Sequence, residues 1–178
     1  MRSVTVARNY AEALFALGER GGQTSRYADL IDAVAAAVET TPAVQGVLMS
    51  PRVPKGEKVR LLGAALPDVP REFVLFLQAL VKRGRQSLLR EIATAYQELL
   101  DVKLNRVRAG VTLAHPPGEA LQRSIAEALS RQLGKEVLPA FSVDAEILGG
   151  AIVRVGERIH DGSIRRRLTK LRRQLLAR

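Results

Sequence analysis

The sequence predicts a mainly α-helical protein with a small α+β part. An N-terminal six-helix bundle is expected over residues 1–105, and a small C-terminal domain of sheet and helix over residues 106–178. Apolar residues recur at spacings of three and four through the first hundred residues, which is the helical period. After Arg106 they alternate with polar residues, which is the strand period. Prolines and glycines fall between the apolar segments, where helices usually end.

The first four predicted helices are closely spaced. The first spans residues 5–17, and the second begins at Thr24 or Ser25, either of which can cap it. Two shorter helices follow over residues 44–48 and 59–66. Five prolines of this half fall at the proposed junctions: Pro42, Pro51, Pro54, Pro67 and Pro70.

The fifth predicted helix is the most apolar, and the sixth closes the bundle. Asp68 is the expected N-cap of the fifth helix, with Pro70 in its first turn and Gly84 at its end. The sixth helix starts near Ser87 and runs to about Leu100. The apolar stripe of the fifth helix contains Phe73, Phe76, Leu77, Leu80 and Val81. Six helices with short connections can bury such stripes only against each other, which predicts a bundle.

The C-terminal part mixes strands and helices. Strands are predicted over residues 107–113, 137–143 and 152–155, with a short edge near Ile159 and a helix over 121–133. The last helix opens at Asp161-Gly162-Ser163, and Arg and Lys cover most of its remaining surface. Its apolar residues are spaced four, three and four apart: Ile164, Leu168, Leu171 and Leu175.

The chain contains few groups that could carry catalysis. It has no cysteine, and its two histidines, His115 and His160, have no second histidine or cysteine nearby to complete a metal site. No glycine-rich phosphate-binding pattern occurs. We therefore expect a protein that is not an enzyme and that uses no cofactor and no metal.

Positive charge is concentrated in the C-terminal part. The net charge is +10; residues 1–105 hold 14 basic and 11 acidic side chains, whereas residues 106–178 hold 14 and 7. Such a surface attracts phosphates, anionic lipids or an acidic protein. Phe141 is the only aromatic residue after Arg106, which disfavours base stacking. The sequence shows no spanning run and no secretory signal, so a cytoplasmic protein is expected.

Three stretches together carry a family resemblance. They are residues 7–15, ARNYAEALF; residues 82–89, KRGRQSLL; and residues 148–168, in which LGGAIVRVG is followed by DGSIRRRL. In this order and spacing the chain resembles the delta subunit of bacterial F-type ATP synthase, the relative of the mitochondrial oligomycin-sensitivity-conferring protein. The C-terminal stretch is the most specific, because it combines a Gly-Gly strand, a turn and a capped basic helix.

The resemblance implies a non-catalytic stator subunit of a proton-translocating complex. In the family, the N-terminal bundle binds the N-terminal segment of an alpha subunit of the alpha3-beta3 head, and the C-terminal part joins the far end of the b-subunit stalk. It implies one copy per complex, a peripheral position at the cytoplasmic face of the cell membrane, no membrane insertion and no nucleic acid. A basic helical nucleic-acid-binding adaptor, such as a transcription antitermination factor, is the alternative.

The resemblance also directs attention to two sets of residues. The expected alpha-subunit groove lies on the first and fifth helices: Ala7, Tyr10, Ala11, Leu14, Phe73, Phe76, Leu77 and Leu80. The expected stalk side contains the family motif and the basic helix: Gly149, Gly150, Asp161, Gly162, Ser163, Arg165, Arg166 and Leu168. The glycines suit tight turns, and Asp161 or Ser163 suits the cap of the last helix. The apolar residues of that helix either pack on the sheet or meet the stalk.

Overall fold

A computed structural model describes the backbone of residues 2–176 and the side chains from Val4 onward. The chain divides into two compact units between Leu100 and Asp101, shortly before the predicted boundary at 105/106. The fold is mainly helical with one small four-stranded sheet, as the sequence predicts. None of the helices within the described residues combines the length and apolarity needed to cross a bilayer.

The first unit is built from α-helices in the six segments where helices were predicted. They are α1 Arg2–Arg20, α2 Thr24–Thr40, α3 Pro42–Met49, α4 Lys55–Ala65, α5 Arg71–Lys82 and α6 Leu89–Lys103. A short 3-10 helix, Gln86–Leu88, precedes α6. The predictions for α1 and α3 were too short at both ends, and the prediction for α4 began too late, because apolar periodicity does not register the polar turns at which a helix begins and ends.

Two predicted helix caps are wrong. The N-cap of α2 is Gln23, whose carbonyl accepts from the Tyr27 backbone N–H, so Thr24 already lies in the first turn. The N-cap of α5 is Pro70 instead of Asp68, since the Pro70 carbonyl accepts from the backbone N–H groups of Phe73 and Val74. Neither Gln23 nor Pro70 donates or accepts a side-chain capping bond, so the preference for polar capping residues gave no usable signal.

One hydrophobic core fills the first unit. Tyr27, Phe73 and Tyr96 are its largest fully buried side chains, and the rings of Tyr27 and Phe73 pack 5.4 Å apart. The Tyr96 hydroxyl donates to the Thr24 carbonyl across 2.9 Å, which satisfies the polar end of a buried ring. Burial of the ring also raises the pKa of Tyr96. These contacts tie α2, α5 and α6 into one packed body.

The second unit contains the sheet and two helices. Its elements are β1 Arg106–Leu113, α7 Glu119–Leu133, β2 Glu136–Val143, β3 Ala151–Val155, β4 Arg158–Asp161 and α8 Ile164–Leu176, with a 3-10 helix at Ala145–Ile147. The strand order is β2-β1-β3-β4, with β1 parallel to β2 and the other pairs antiparallel. The parallel pair requires a crossover, which α7 supplies by packing beside β2.

The two faces of this sheet differ in burial. Ala109, Val111 and Leu113 of β1 are buried on one face, together with Val137 of β2. On the other face, Gly110, Ala140 and Ser142 are exposed, and the Thr112 and Ser142 hydroxyls lie 2.9 Å apart. The second face is therefore open to solvent along the centre of the sheet.

Candidate protein-binding surfaces

The structure places most of the predicted alpha-subunit groove in the core. The side chains that are buried are Ala7, Ala11, Leu14, Phe73, Phe76, Leu77 and Leu80, whereas Tyr10 is half-buried. The apolar arc of α5 was expected to form one side of this groove. Neighbouring helices cover that arc, so the buried side chains pack against the unit's own core and do not line an open groove.

Accessible apolar surface lies beside these buried residues, where α1 meets α5. The rings of Tyr10 and Phe76 touch edge-to-face with centroids 6.3 Å apart, which joins the two helices at this point. Phe76 is 8% exposed, and Leu75 next to it is 51% exposed. We call this surface the α1–α5 seam, and its members are Val6, Tyr10, Ala13, Leu75, Phe76 and Ala79.

Contacts on the opposite sides of the same helices fix the direction of the seam. The Gln78 side-chain amide donates to the Val59 carbonyl, so that side of α5 faces α4. The ring of Phe15 packs 5.4 Å from the ring of Tyr96, so that side of α1 faces α6. The helical period then places Ala13 beside Tyr10, and Ala79 beside Phe76, on the sides without these contacts. The predicted groove did not include Leu75 and Ala79. Periodicity predicts which arc of a helix is apolar, but not which neighbouring helices cover that arc.

A second apolar groove lies between α3 and α4, and the sequence did not indicate it. It is lined by Ala43, Val44, Val47, Leu48, Lys58, Leu61, Leu62 and Ala65. Lys58 is only 4% exposed, and its ammonium donates to the carbonyls of Leu48 and Ser50, each across 2.8 Å. The ammonium group therefore binds the carbonyls at the C-terminal end of α3, and only the aliphatic part of the Lys58 side chain lines the groove.

The glycine motif of the second unit has a backbone function. Gly150 has φ +78°, and a Cβ on it would lie 2.5 Å from the Gly162 carbonyl oxygen. The Gly162 N–H donates to the Ala151 carbonyl, and the Ile164 N–H donates to the Gly149 carbonyl. These contacts bring the start of β3 against the start of α8, which positions the basic helix.

Ser163 caps α8, and Asp161 supports the cap. The buried Ser163 hydroxyl accepts from the Arg166 N–H across 3.2 Å, and the Asp161 carboxylate accepts from the Ser163 N–H across 3.0 Å. Hydrogen bonds from the Ser163 hydroxyl and then from its backbone N–H lower the pKa of Asp161. The sequence did not decide which of these two residues caps α8. In the structure Ser163 is the cap, and Asp161 holds the backbone of Ser163.

The α8 helix exposes both its basic and its apolar residues. Arg165 pairs with Glu146 across 2.8 Å at the surface, and Leu168 is half exposed. None of its side chains within Ile164–Leu176 is buried. Leu168, Leu171 and Leu175 therefore remain open to solvent, whereas Ile164 in the first turn lies against Gly149, just before β3.

The two predicted sets of site residues lie in different units. The groove residues belong to the first unit, and Gly149, Gly150, Asp161, Gly162, Ser163, Arg165, Arg166 and Leu168 belong to the second. Within each unit the structure brings the members together at one place. Among the described residues no group of three His, Cys, Asp or Glu is arranged to hold a metal ion. The α1–α5 seam offers apolar contact, and the surface of α8 offers apolar contact and positive charge, both of which are means of protein binding.

Comparisons with known proteins agree over nearly the full length. Residues 6–175 match the family model described as ATP synthase delta (OSCP) subunit. The ATP synthase subunit delta of Gemmatimonas aurantiaca is 44% identical over 96% of this chain and 93% of that protein. That of Desulforamulus reducens is 35% identical over 97% of this chain and 96% of that protein.

A solved structure shares the fold. A chain in the cryo-EM structure of the Toxoplasma gondii mitochondrial ATP synthase hexamer aligns with a TM-score of 0.70 at 21% identity, covering 97% of this chain and 98% of that chain. The resemblance predicted from the three sequence stretches is confirmed by matches that extend across both units. The chain belongs to the ATP synthase delta (OSCP) subunit family.

Proposed function

We propose that this chain is a non-catalytic stator that ties the alpha3-beta3 head of an F-type ATP synthase to its b stalk. As a delta/OSCP subunit it is a component of the peripheral stalk. The observation that carries the proposal is an uncovered apolar surface on each unit: the α1–α5 seam on the first and the outer face of α8 on the second. A tether needs two separate binding surfaces, whereas an adaptor for nucleic acid would need one continuous basic surface.

The first contact is the N-terminal segment of an alpha subunit at the α1–α5 seam. We infer that α1–α6 form the six-helix bundle expected for the family. A short amphipathic helix would lay its apolar face along Tyr10, Leu75 and Phe76. The small side chains of Ala13 and Ala79 on either side allow the backbones to approach closely. The other buried residues of the original set support this surface from below instead of touching the ligand: Ala7, Ala11, Leu14, Phe73, Leu77 and Leu80.

The second contact is the C-terminal end of the b-subunit stalk at the second unit. Supporting it are the exposed apolar residues of α8 and the excess of basic over acidic residues after Arg106. Exposed charges of this kind chiefly affect association rate and orientation, and apolar contact supplies most of the affinity. Gly149, Gly150, Gly162 and the Ser163 cap hold α8 in place for this contact.

The mechanical consequence is resistance to rotation. Proton flow turns a rotor inside the head, and an unanchored head would turn with it, so no torque would reach the nucleotide sites. The chain would act at the cytoplasmic face of the cell membrane as a peripheral part of the complex, in one copy. It would supply no group to the chemistry itself.

Two linked contacts explain how modest surfaces can bear load. A fully buried apolar side chain contributes about 1.5–3 kcal/mol, while association costs about 4–15 kcal/mol. A few seam residues therefore give moderate affinity alone. Joining the two contacts in one assembly raises the apparent affinity about 10²- to 10⁴-fold.

Calorimetry with a peptide copying the N-terminal helix of the alpha subunit from the same organism tests the proposal. The full chain should bind this peptide with little dependence on salt, because the seam is apolar. Binding to duplex DNA, by contrast, falls linearly with log salt concentration when phosphate contacts drive it. Absence of peptide binding, together with salt-sensitive and saturable DNA binding, would favour the nucleic-acid adaptor instead.

A further inference from the structure

The polar and apolar faces of α8 are arranged opposite to those of an ordinary surface helix. A cleft in the second unit is lined by Ile152 and Asp161 of the sheet and by Arg166, Lys170 and Arg173 of α8. At 100° per residue, these three basic residues lie on the side of α8 opposite its apolar stripe. The helix therefore turns its basic face toward its own unit and Leu168, Leu171 and Leu175 away from it, whereas Ile164 in its first turn lies against Gly149.

The inward basic face of α8 lies across a cleft from acidic side chains of its own unit. Asp144 and Asp161 line the same cleft as Arg166, Lys170 and Arg173. Beside them, Arg165 pairs with Glu146 of the 3-10 helix, which is the element that α8 contacts most. The unit thus holds α8 by its cap, by the Arg165–Glu146 pair and by Ile164 against Gly149, while Leu168, Leu171 and Leu175 stay exposed.

The outward apolar face has the spacing of a coiled-coil seam. Ile164, Leu168, Leu171 and Leu175 follow one another at intervals of four, three and four, which are successive d and a positions of two heptads. All four are exposed, from 43% at Ile164 to 76% at Leu175. A seam of this kind is stable only when a second helix covers it.

The residues that flank the seam select the partner. Arg165 and Arg172 occupy the e positions, and Arg167 occupies one of the g positions. If two copies of α8 paired in parallel, Arg167 of one would face Arg172 of the other, and like charges at these positions are unfavourable. A partner helix with Asp or Glu at the facing positions forms attractive pairs instead.

We propose that α8 forms a two-stranded coiled coil with a partner helix whose apolar seam is flanked by Asp and Glu, and that this helix is the end of the b stalk. The inference rests on the proposed function and specifies the chemistry of its second contact. The basic residues divide into two groups under this proposal. Arg167 and Arg172 meet the partner, whereas Arg166 and Arg173 line the cleft on the side of their own unit.

Titration of the full chain with designed helical peptides tests the selection of the partner. Two 21-residue probes would share Leu at every a and d position and differ only in carrying Glu or Lys at every e and g position. The wild type should bind the Glu peptide at least tenfold more tightly than the Lys peptide at low salt. A combined Arg167→Glu and Arg172→Glu variant should reverse this order. Equal affinity for both probes, or an unchanged order in the variant, would overturn the proposal.

A third probe copies the C-terminal end of the b subunit from the same organism. Leu171→Asp should weaken its binding at least tenfold, and the matched control Arg173→Gln, on the opposite face of α8, should not. Leu171 is 54% exposed, so the variant should keep its fold, and circular dichroism of the full chain checks this. If the b peptide binds wild type and Leu171→Asp equally, the coiled coil is wrong but the stator role stands. If wild type binds the Glu probe but not the b peptide, the stalk contact itself is wrong.

Self-association through the apolar face of α8 is the remaining possible outcome. The wild type should sediment as a monomer at micromolar concentration, because Arg167 of one copy would face Arg172 of the other. A dimer that Leu171→Asp dissolves would identify a second copy as the occupant and would contradict the proposal.

Discussion

Gly150 lies directly against Gly162, so closely that a Cβ on Gly150 would be 2.5 Å from the Gly162 carbonyl oxygen. Real Cβ atoms do not approach a backbone oxygen to this distance, and Gly150 also has a positive φ of 78°. The Gly-Gly and Asp-Gly-Ser parts of the family motif are therefore two sides of one backbone contact. That contact sets where α8 begins, and so where its exposed residues lie.

Gly150→Ala should destabilise the second unit by about 2–4 kcal/mol, combining left-handed strain with displacement of the Gly162 backbone. The matched control is Gly156→Ala, which has a φ of +57° but no heavy atom within 4 Å of the added Cβ. That variant should lose only about 1–2 kcal/mol. Hydrogen exchange of the β1 and β3 amides measures both. Equal losses in the two variants would show that the contact with Gly162 has no effect of its own.

The stability of the second unit should depend on pH through Asp161. Hydrogen bonds from Ser163 lower the pKa of Asp161, so its folded-state pKa lies below the unfolded value of about 3.9. Its stabilisation is present above the unfolded pKa and is lost as pH falls through the folded pKa. Asp161→Asn keeps an acceptor for the Ser163 N–H but does not titrate.

Urea unfolding of the wild type and Asp161→Asn between about pH 2 and 6 checks this expectation. The wild type should lose more stability than the variant as pH falls. Asp29→Asn, which removes an exposed carboxylate from α2 in the first unit, controls for the change in net charge. If the free energy of unfolding of Asp161→Asn changed with pH in parallel with that of the wild type, the Ser163 hydrogen bonds would make no contribution to the pH dependence of stability.

Lys58 should stabilise the end of α3. Its ammonium donates to two carbonyls while nearly buried, and charged hydrogen bonds of this kind are worth about 1.5–3 kcal/mol. Lys58→Met keeps the apolar stem and should lower the free energy of unfolding of the first unit by about that amount. Lys55→Met is the control, because Lys55 is exposed and donates to a single carbonyl, that of Lys82. Similar losses in the two variants, measured by thermal unfolding, would argue against the assigned role.

Leu75→Asp should abolish binding of the alpha-subunit peptide without unfolding the chain. Leu75 is exposed at the α1–α5 seam, so the substitution places a charge where the peptide's apolar face would lie. Phe76→Asp would be a poor test, because Phe76 is a core residue and its loss would disturb the whole unit. Leu61→Asp in the α3–α4 groove is the matched control, since Leu61 is 40% exposed.

Isothermal titration of the peptide into the three proteins gives the comparison. Wild type and Leu61→Asp should bind alike, and Leu75→Asp should bind at least tenfold more weakly. If the peptide bound Leu75→Asp as tightly as the wild type but did not bind Leu61→Asp, the alpha contact would lie at the α3–α4 groove.

Periodicity predicted the helices and strands of this fold well, because the spacing of buried residues along each of them follows from the local sequence. The stripe of α5 and the alternation of β1 both give buried residues where they were expected. Helix caps were less predictable. At α2 and α5, Gln23 and Pro70 supply backbone carbonyls and no side-chain bond, so residue preference could not locate them.

The binding surfaces could be predicted only in part, since exposure depends on which helices happen to be neighbours. Phe73 and Leu77 are large apolar residues like Leu75, yet the fold buries Phe73 and Leu77 and exposes Leu75. The direction of α8 has the same origin. Its stripe from Ile164 to Leu175 is visible in the sequence, but only the cleft that holds Arg166 and Lys170 shows that the stripe faces outward.

Coupling in the whole complex tests the central claim most directly. Inverted membrane vesicles would be reconstituted with the synthase lacking this subunit, with the wild-type chain added back, or with a chain carrying both Leu75→Asp and Leu171→Asp. Only the wild type should restore ATP synthesis driven by a proton gradient, while ATP hydrolysis by the head persists in all three. Full proton-driven synthesis without the subunit, or with the doubly substituted chain, would contradict the account.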